Sequence, residues 1–124
     1  MPLLYEEESY AILGACFEVY KENGPGFLEG VYHECLMIEF GLRGIPFESK
    51  KKLVLTYKDV PLTQSYEPDF ICFDKIIVEI KAVVDLHDIF RAKLHHYLKS
   101  TNLRLGFLVN FAHYPQLEHE RVIY

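Results

Sequence analysis

The sequence predicts a single α/β domain in which helices flank a mixed sheet of four or five strands. Several stretches place apolar residues at the 3.6-residue spacing of amphipathic helices. Other short apolar runs are bounded by turn residues, which is typical of strands. The length of 124 residues allows one domain with one core and is too short for two, so we assign residues 1–124 to one domain.

Two helices are expected at the start of the chain. Residues 9–22 carry apolar side chains at helical spacing and stop at Asn23-Gly24, a natural helix end. Gly24-Pro25-Gly26 then supplies a rigid turn. A second helix is predicted over residues 28–42, and glycines 41 and 44 mark its end.

Three extended segments follow. Residues 45–57 predict the first strand, and Asp59-Val60-Pro61 predicts a turn. Residues 62–73 and 76–82 predict two further strands, joined by a tight turn at Asp74-Lys75. The pair is therefore expected to form a hairpin.

The last third of the chain completes the order α-α-β-β-β-α-β. A third helix is predicted over residues 85–100, with Asp85 as its N-cap. Residues 103–111 form a nearly continuous apolar run, as expected of a central strand covered on both faces. Residues 121–124 predict a short final strand. The connection from residues 76–82 through the third helix should be a right-handed parallel crossover.

Three charged side chains lie within the apolar hairpin. Glu79 and Lys81 point to the same face because side chains alternate along a strand. Pairing around Asp74-Lys75 brings Asp69 to the level of Glu79. Two carboxylates and an ammonium group then converge, and burying such a cluster is costly unless a cation or a substrate compensates the charge.

This cluster has the composition of a metal-dependent phosphodiester hydrolase. Mg²⁺ and Mn²⁺ prefer oxygen ligands, and Asp69, Glu79 and the backbone carbonyl of Ile80 offer them. Lys81 could orient a water molecule or stabilise negative charge developing on phosphorus. The bland alternative is a structural ion pair in which Lys81 is tied to one of the acids without any metal.

The same residues resemble a known motif. Pro68-Asp69 followed by Glu79-Ile80-Lys81 resembles the signature of the PD-(D/E)xK nuclease superfamily, and the whole chain looks closer still to its GxxExxR branch. The matching stretches are residues 18–32, 66–69, 77–82, 97–99 and 103–111.

The resemblance implies a restriction-endonuclease-like fold and a set of site residues. It places Asp69 and Glu79 as metal ligands, Lys81 as the catalytic lysine, and Glu29 as an acid that supports the metal or its water. Lys93 stands where the branch usually has Gln and is expected to complete the catalytic set. On the sequence alone, Glu29 is equally a favourable acid in the first turn of a helix, and Lys93 a solvated helix residue.

Composition limits the partners that can be expected. The net charge of −5 argues against a protein that grips nucleic acid by electrostatics alone. The run Lys50-Lys51-Lys52 is typical of a solvated strand start. The alternative is a minor contact with a nucleic-acid backbone, made by this run together with Arg91, Lys93, Lys99 and Arg104. No apolar run is long enough to cross a bilayer and the start lacks the plan of a signal peptide, so a cytoplasmic protein without membrane contact is expected.

Two functions remain open at this stage. The first is a Mg²⁺- or Mn²⁺-dependent nuclease acting on nucleic acid, with DNA the expected substrate, and working as a homodimer. The second is a binding or assembly module that keeps the nuclease fold but cuts nothing. The three cysteines, Cys16, Cys35 and Cys72, lie in apolar patterns without a Cys-x-x-Cys motif, and a buried, reduced, structural role is expected for them.

Overall fold

A computed structural model of the protein describes residues 3–124 and contains helices on both faces of a mixed sheet. The helices are α1 (Glu6–Asn23), α2 (Glu29–Leu42) and α3 (Asp88–Thr101). The strands are β1 (Phe47–Ser49), β2 (Leu53–Tyr57), β3 (Val60–Tyr66), β4 (Phe70–Cys72), β5 (Ile76–Lys81), β6 (Leu105–Asn110) and β7 (Glu118–Ile123).

Five of the strands form the main sheet, in the order β1-β4-β5-β6-β7. Strands β5 and β6 are parallel, and each of the other neighbouring pairs is antiparallel. The predicted mixed α/β sheet is confirmed, as is the parallel step through α3. The arrangement is consistent with a restriction-endonuclease-like fold.

The first predicted strand is wrong as a single element. Residues 45–57 form two strands, because Lys50 has a φ of 56° and the chain leaves the main sheet there. Strand β1 stays in the main sheet, whereas β2 pairs with β3 in a separate two-stranded ribbon. The turn of that ribbon lies at Lys58-Asp59, where both φ angles are positive as two-residue hairpin turns require, so Val60 and Pro61 already belong to β3.

The predicted strand over residues 62–73 is also two strands. Strand β3 ends at Tyr66 and β4 begins at Phe70. Pro68 lies between them, and because proline has no N–H and a fixed φ, it is poorly suited to continue a hydrogen-bonded ladder. The turn before β5 is close to the prediction, with positive φ at Phe73 and Asp74.

Two further boundaries differ from the sequence prediction. Helix α3 begins at Asp88, and its N-cap is His87, whose Nδ1 accepts a hydrogen bond from the Ile89 N–H at 3.2 Å; Asp85 is not the cap. The last strand is longer than predicted, since β7 pairs with β6 from Asn110↔Glu118 to Leu105↔Ile123.

The alternation of β5 divides the core into two layers. Ile76, Val78 and Ile80 pack against α1 and α2, in a cluster that also contains Ile12, Cys16, Leu36, Phe40, Phe107 and Val109. Ile77 packs on the other side with Leu94 and Leu98 of α3 and with Tyr66 of the ribbon. By this alternation Glu79 and Lys81 face α3 and the ribbon.

No helix within residues 3–124 has the length and apolar character needed to span a bilayer. The three cysteines are free thiols. Cys16 and Cys72 are buried as expected, whereas Cys35 is only half-buried, and its sulfur accepts a hydrogen bond from the Asn23 side chain at 3.3 Å.

Candidate active site

Asp69 and Glu79 meet at the open end of the β4–β5 hairpin. The register of the hairpin pairs Phe70 with Val78, so the next pair outward is Asp69 and Glu79. The backbone N–H of Asp69 donates to Glu79 Oε1 at 2.9 Å, and the backbone N–H of Ile80 donates to Asp69 Oδ2 at 2.9 Å. Each carboxylate is thus fixed by a main-chain donor of the neighbouring strand, and the predicted proximity of the two acids is observed.

Lys81 lies on the same side of β5 but is not paired with these acids. Its ammonium nitrogen lies 4.7 Å from the centre of the Phe90 ring, a cation–π arrangement. Its positive charge still lowers the pKa of Glu79. Among residues 3–124 the cation that pairs with Asp69 is Lys50, with Nζ 2.7 Å from Oδ1, so the alternative of a structural Lys81 ion pair is wrong.

Lys93 of α3 lines the same groove as Glu79 and Lys81. The groove has a volume of about 380 Å³. Its other walls come from the ribbon, from α3 and from the sheet: Ser65, Tyr66, Glu67, Phe90, Leu94, Tyr97 and Leu108. Two lysines, Lys81 and Lys93, and two carboxylates, Glu67 and Glu79, therefore line one groove. Lys93 itself is exposed, and Asp69 does not line this groove.

Glu29 is an exposed residue at the start of α2. The pKa of Lys50 is raised chiefly by its hydrogen bond to Asp69, then by the charges of Asp69 and Glu79, and least by the charge of Glu29. One helical turn later, His33 Nε2 lies 3.3 Å from the Asp69 carbonyl oxygen and its ring stacks on Phe70. The α2 N-terminus therefore approaches the acid pair, and whether Glu29 takes part in metal binding stays a prediction.

The rigid turn before α2 is held by Tyr32. The buried Tyr32 hydroxyl donates to the Gly24 carbonyl at 2.6 Å and accepts from the Phe27 N–H at 3.2 Å. Its ring stacks on Phe111 at 4.7 Å. Tyr32 thus has a structural role that fixes the entry of the chain into α2.

Burial shifts the protonation of Glu79. The pKa of Glu79 is raised to about 7, first because burial penalises the charged form and second because the Asp69 charge lies close by. The hydrogen bond from the Asp69 N–H, the Tyr66 hydroxyl and Lys81 partly oppose this rise. Glu79 therefore changes charge near neutral pH, a property common among residues at functional sites.

Tyr66 was not anticipated as a neighbour of the acids. Its ring stacks on Tyr97 at 3.7 Å, and its hydroxyl is buried without a hydrogen bond of normal geometry to any residue in the described range 3–124. Burial and the Glu79 charge both raise the pKa of Tyr66, which keeps the hydroxyl neutral. Tyr66 opens the matching stretch 66–69, but hairpin spacing did not predict its position beside Glu79, because it lies at the end of β3 in the ribbon.

Asn110 holds the segment that follows Lys81. It is fully buried at the end of β6, directly opposite Lys81 in the parallel register. Its side chain accepts from the Val83 N–H at 3.0 Å and donates to the Val83 carbonyl at 2.9 Å. These two hydrogen bonds fix the segment that connects β5, which carries Lys81, to α3, which carries Lys93.

Some of the other basic residues are held in ion pairs. Arg91 pairs with Asp88 and Glu120, and Lys51 lies 3.5 Å from Glu48. His95 and His96, adjacent on α3, have ring centres 6.3 Å apart and both are exposed. Within residues 3–124 no group of three or more His, Cys, Asp or Glu side chains is arranged to hold a metal ion.

The acid pair nevertheless fits a hard divalent cation of the kind that keeps most of its water. Mg²⁺ is usually bound through one or two carboxylates plus waters and phosphate oxygens rather than by a complete protein cage. Asp69 and Glu79 supply the two carboxylates. One oxygen of each accepts a backbone N–H. Of the two other oxygens, Asp69 Oδ1 is bonded to Lys50 Nζ at 2.7 Å, so a cation at Asp69 would compete with that lysine.

Comparison with known proteins identifies the family. The family model of the PD-(D/E)XK nuclease superfamily matches residues 6–122. None of the curated proteins and none of the solved structures compared with the chain matches it significantly. Because the family match runs through both helical layers and every strand of the main sheet, the chain belongs to the PD-(D/E)XK nuclease superfamily.

Proposed function

We propose that the protein is a Mg²⁺- or Mn²⁺-dependent nuclease of the GxxExxR branch, which hydrolyses phosphodiester bonds of nucleic acid. The observation that carries the proposal is that the Asp69 and Glu79 carboxylates lie side by side, and that Glu79 lines a groove together with Lys81 and Lys93. Superfamily membership supports nucleic acid as the substrate class and a divalent metal as the cofactor.

In this proposal each site residue has a separate role. Asp69 and Glu79 hold the cation, which would supply electrostatic stabilisation of the phosphate when bound, and the Ile80 carbonyl is a further oxygen ligand. Lys81 orients the attacking water and compensates negative charge at phosphorus. Lys93 contacts the scissile phosphate from the α3 side, and Glu29 supports a water near the cation from α2.

The distribution of charge supports a polyanionic substrate despite the net charge of −5. Residues 1–49 contain nine acidic and two basic residues, whereas residues 50–124 contain eleven basic and nine acidic residues. The negative surplus thus belongs to the part of the chain that forms α1 and α2. The ribbon and α3, which wall the groove, belong to the slightly positive part, so a nucleic-acid backbone meets less repulsion there.

The proposal is tested by Mn²⁺ titration and by cleavage assays on the same preparation. We expect saturable Mn²⁺ binding in calorimetry and metal-dependent cleavage of a DNA or RNA substrate by the native chain. Asp69→Asn should abolish both, while Asp59→Asn, at the exposed ribbon turn, should change neither. Cleavage that persists in Asp69→Asn would refute the assignment.

The second candidate is a nuclease-fold binding module without catalysis. The observation that favours it is the Lys50–Asp69 ion pair, which neutralises one acid without any metal. Absence of Mn²⁺ binding at millimolar concentration, with nucleic-acid binding retained, would favour this candidate over the nuclease.

A homodimer is part of the proposal because single-domain nucleases of this kind often pair to cut two strands. Gel filtration with light scattering at working concentration tests it, and a monomer under those conditions would remove it. A cytoplasmic location likewise stays a prediction.

A further inference from the structure

Lys50 is a surface side chain attached to a buried carboxylate. The Lys50 side chain is 55% exposed, whereas the Asp69 side chain is 8% exposed, and their charged atoms lie 2.7 Å apart. Lys50 follows directly after β1, and β1 pairs with β4 so that Ser49 lies opposite Phe70. The pairing of β1 with β4, together with the turn of the chain at Lys50, therefore delivers the ammonium group to Asp69.

The ammonium group occupies the oxygen that a metal ion would need. Asp69 Oδ2 already accepts the Ile80 N–H, so Oδ1 is the oxygen left for a cation, and Oδ1 is the atom that Lys50 contacts. A divalent ion in contact with Oδ1 would repel the ammonium group bonded to the same oxygen, because both charges are positive. A divalent ion that binds Asp69 must therefore displace the Lys50 side chain.

The displaced side chain cannot go far, because the Lys50 backbone is fixed. Its N–H donates to the Asp69 carbonyl oxygen at 3.3 Å, and its φ of 56° places it in the left-handed region, which few non-glycine residues adopt without structural need. A freed ammonium group stays within one side-chain length of the acid pair. In a nuclease, bound nucleic acid would place a phosphate group near the acid pair, within reach of this ammonium group.

We propose that Lys50 is a phosphate-binding residue for nucleic acid that the metal-free site holds on Asp69, and that metal binding releases it toward the substrate. The inference rests on the nuclease function proposed above and adds a substrate contact that the motif does not include. Lys50 competes with the metal when nucleic acid is absent and assists nucleic-acid binding when the metal is present. Metal and nucleic acid then favour each other's binding by the same factor, as thermodynamic linkage requires.

Lys50→Met tests this role because methionine keeps much of the aliphatic stem and removes the charge. Without nucleic acid, we expect Lys50→Met to bind Mn²⁺ about three- to tenfold more tightly than the native chain, since the competing ammonium group is gone. In a Lys81→Met background, in which cleavage should be slow enough for binding to be measured first, we expect Lys50→Met to weaken binding of a DNA duplex about three- to tenfold in the presence of Mn²⁺. Without Mn²⁺ the two chains should bind the duplex equally.

Lys52→Met is the matched control, since it removes an exposed neighbouring lysine that makes no ion pair within residues 3–124. It should leave the Mn²⁺ affinity unchanged. The opposite signs of the two Lys50→Met effects are the signature, because a variant that only disturbs the fold would weaken both equilibria.

The outcomes separate this inference from the proposed function. If the native chain binds Mn²⁺ but Lys50→Met binds it no more tightly, the role of Lys50 is overturned while the nuclease proposal stands. If Lys50→Met weakens both Mn²⁺ and duplex binding, Lys50 is structural and the inference fails. If neither chain binds Mn²⁺, both proposals fail together.

Discussion

The Glu79 carboxylate accepts a hydrogen bond from the backbone N–H of Asp69 at 2.9 Å, so one predicted acid is oriented by the main chain of the other. The Asp69 carboxylate in turn accepts from Ile80, the residue after Glu79. These two backbone hydrogen bonds orient both carboxylates, and each bond uses one oxygen of the carboxylate that accepts it. It also means that each acid contributes to the local structure as well as to the proposed chemistry.

Replacement of Asp69 should separate these two contributions. Asp69→Asn keeps an oxygen that can accept the Ile80 N–H, so we expect loss of Mn²⁺ binding with little loss of stability. Asp69→Ala removes the acceptor and leaves a buried N–H unpaired, which should cost a further ~1–3 kcal/mol in the free energy of unfolding. Urea denaturation compares the stabilities, and calorimetry measures Mn²⁺ binding. Equal stabilities of the two variants would show that the Ile80 hydrogen bond contributes little.

Glu79 should make the metal-free protein less stable as the pH rises. Its pKa is about 7 in the folded chain and 4.5 in the absence of burial, so the folded state binds its proton more tightly than the unfolded state. The resulting stability is fully present below about pH 4.5 and is lost as the pH rises through about 7. Its expected size is about 1–3 kcal/mol.

The comparison with Glu79→Gln isolates this effect from those of other titrating groups. Glutamine keeps an oxygen for the Asp69 N–H but cannot ionise. Urea unfolding of both chains at pH 5.5 and pH 8.5, with a chelator present, should show the native chain losing stability relative to Glu79→Gln at the higher pH. Parallel pH profiles would contradict the raised pKa.

Lys81 should matter for the rate of cleavage more than for binding of the metal. Its ammonium group is not paired with Asp69 or Glu79, so Lys81→Met leaves the two ligands in place. We expect the cleavage rate to fall by about a hundredfold or more with the Mn²⁺ affinity nearly unchanged. Single-turnover cleavage measures the rate, and calorimetry measures the affinity.

Two lysines of α3, Lys93 and Lys99, provide the comparison for Lys81 of β5. Lys93→Met should lower the rate by a smaller factor, since Lys93 lines the groove but is exposed. Lys99→Met, outside that groove, should have no effect on the rate. Equal losses in all three variants would point to general electrostatic attraction and would remove the specific role of Lys81.

Gly106 allows α3 to pack closely against the sheet, and a larger residue there should destabilise the fold. A Cβ at this position would lie 3.0 Å from two carbon atoms of the Leu94 side chain, and Leu94 is only 1% exposed and cannot easily move aside. Gly106→Ala should therefore destabilise the fold by about 1–3 kcal/mol. Thermal unfolding measures the loss.

Gly41→Ala is the control, because a Cβ there meets no atom within 4 Å and alanine favours a helix. We expect it to stabilise the protein by up to about 1 kcal/mol. If Gly106→Ala were as stable as Gly41→Ala, α3 would be packed more loosely than the contact indicates.

Local sequence patterns predicted those features of the site that depend on neighbouring residues. Alternation along β5 predicted that Glu79 and Lys81 share a face, and the turn predicted at Asp74-Lys75 placed Asp69 near the level of Glu79, as the register shows. The breaks at Lys50 and at residues 67–69 were missed because apolar and extended residues continue on both sides of them. Nothing local distinguishes one long strand from two short strands that join different sheets.

The sequence by itself determined the α/β class, the parallel step between β5 and β6, and the paired acids, since each follows from residue spacing over a few turns or one hairpin. Only the tertiary structure decided that Lys50 reaches Asp69, that Tyr66 stands beside Glu79, and that Lys93 shares a groove with Lys81. These contacts join residues from segments far apart in the chain. Their positions depend on how the sheet, the ribbon and α3 pack, which no periodicity within one segment encodes.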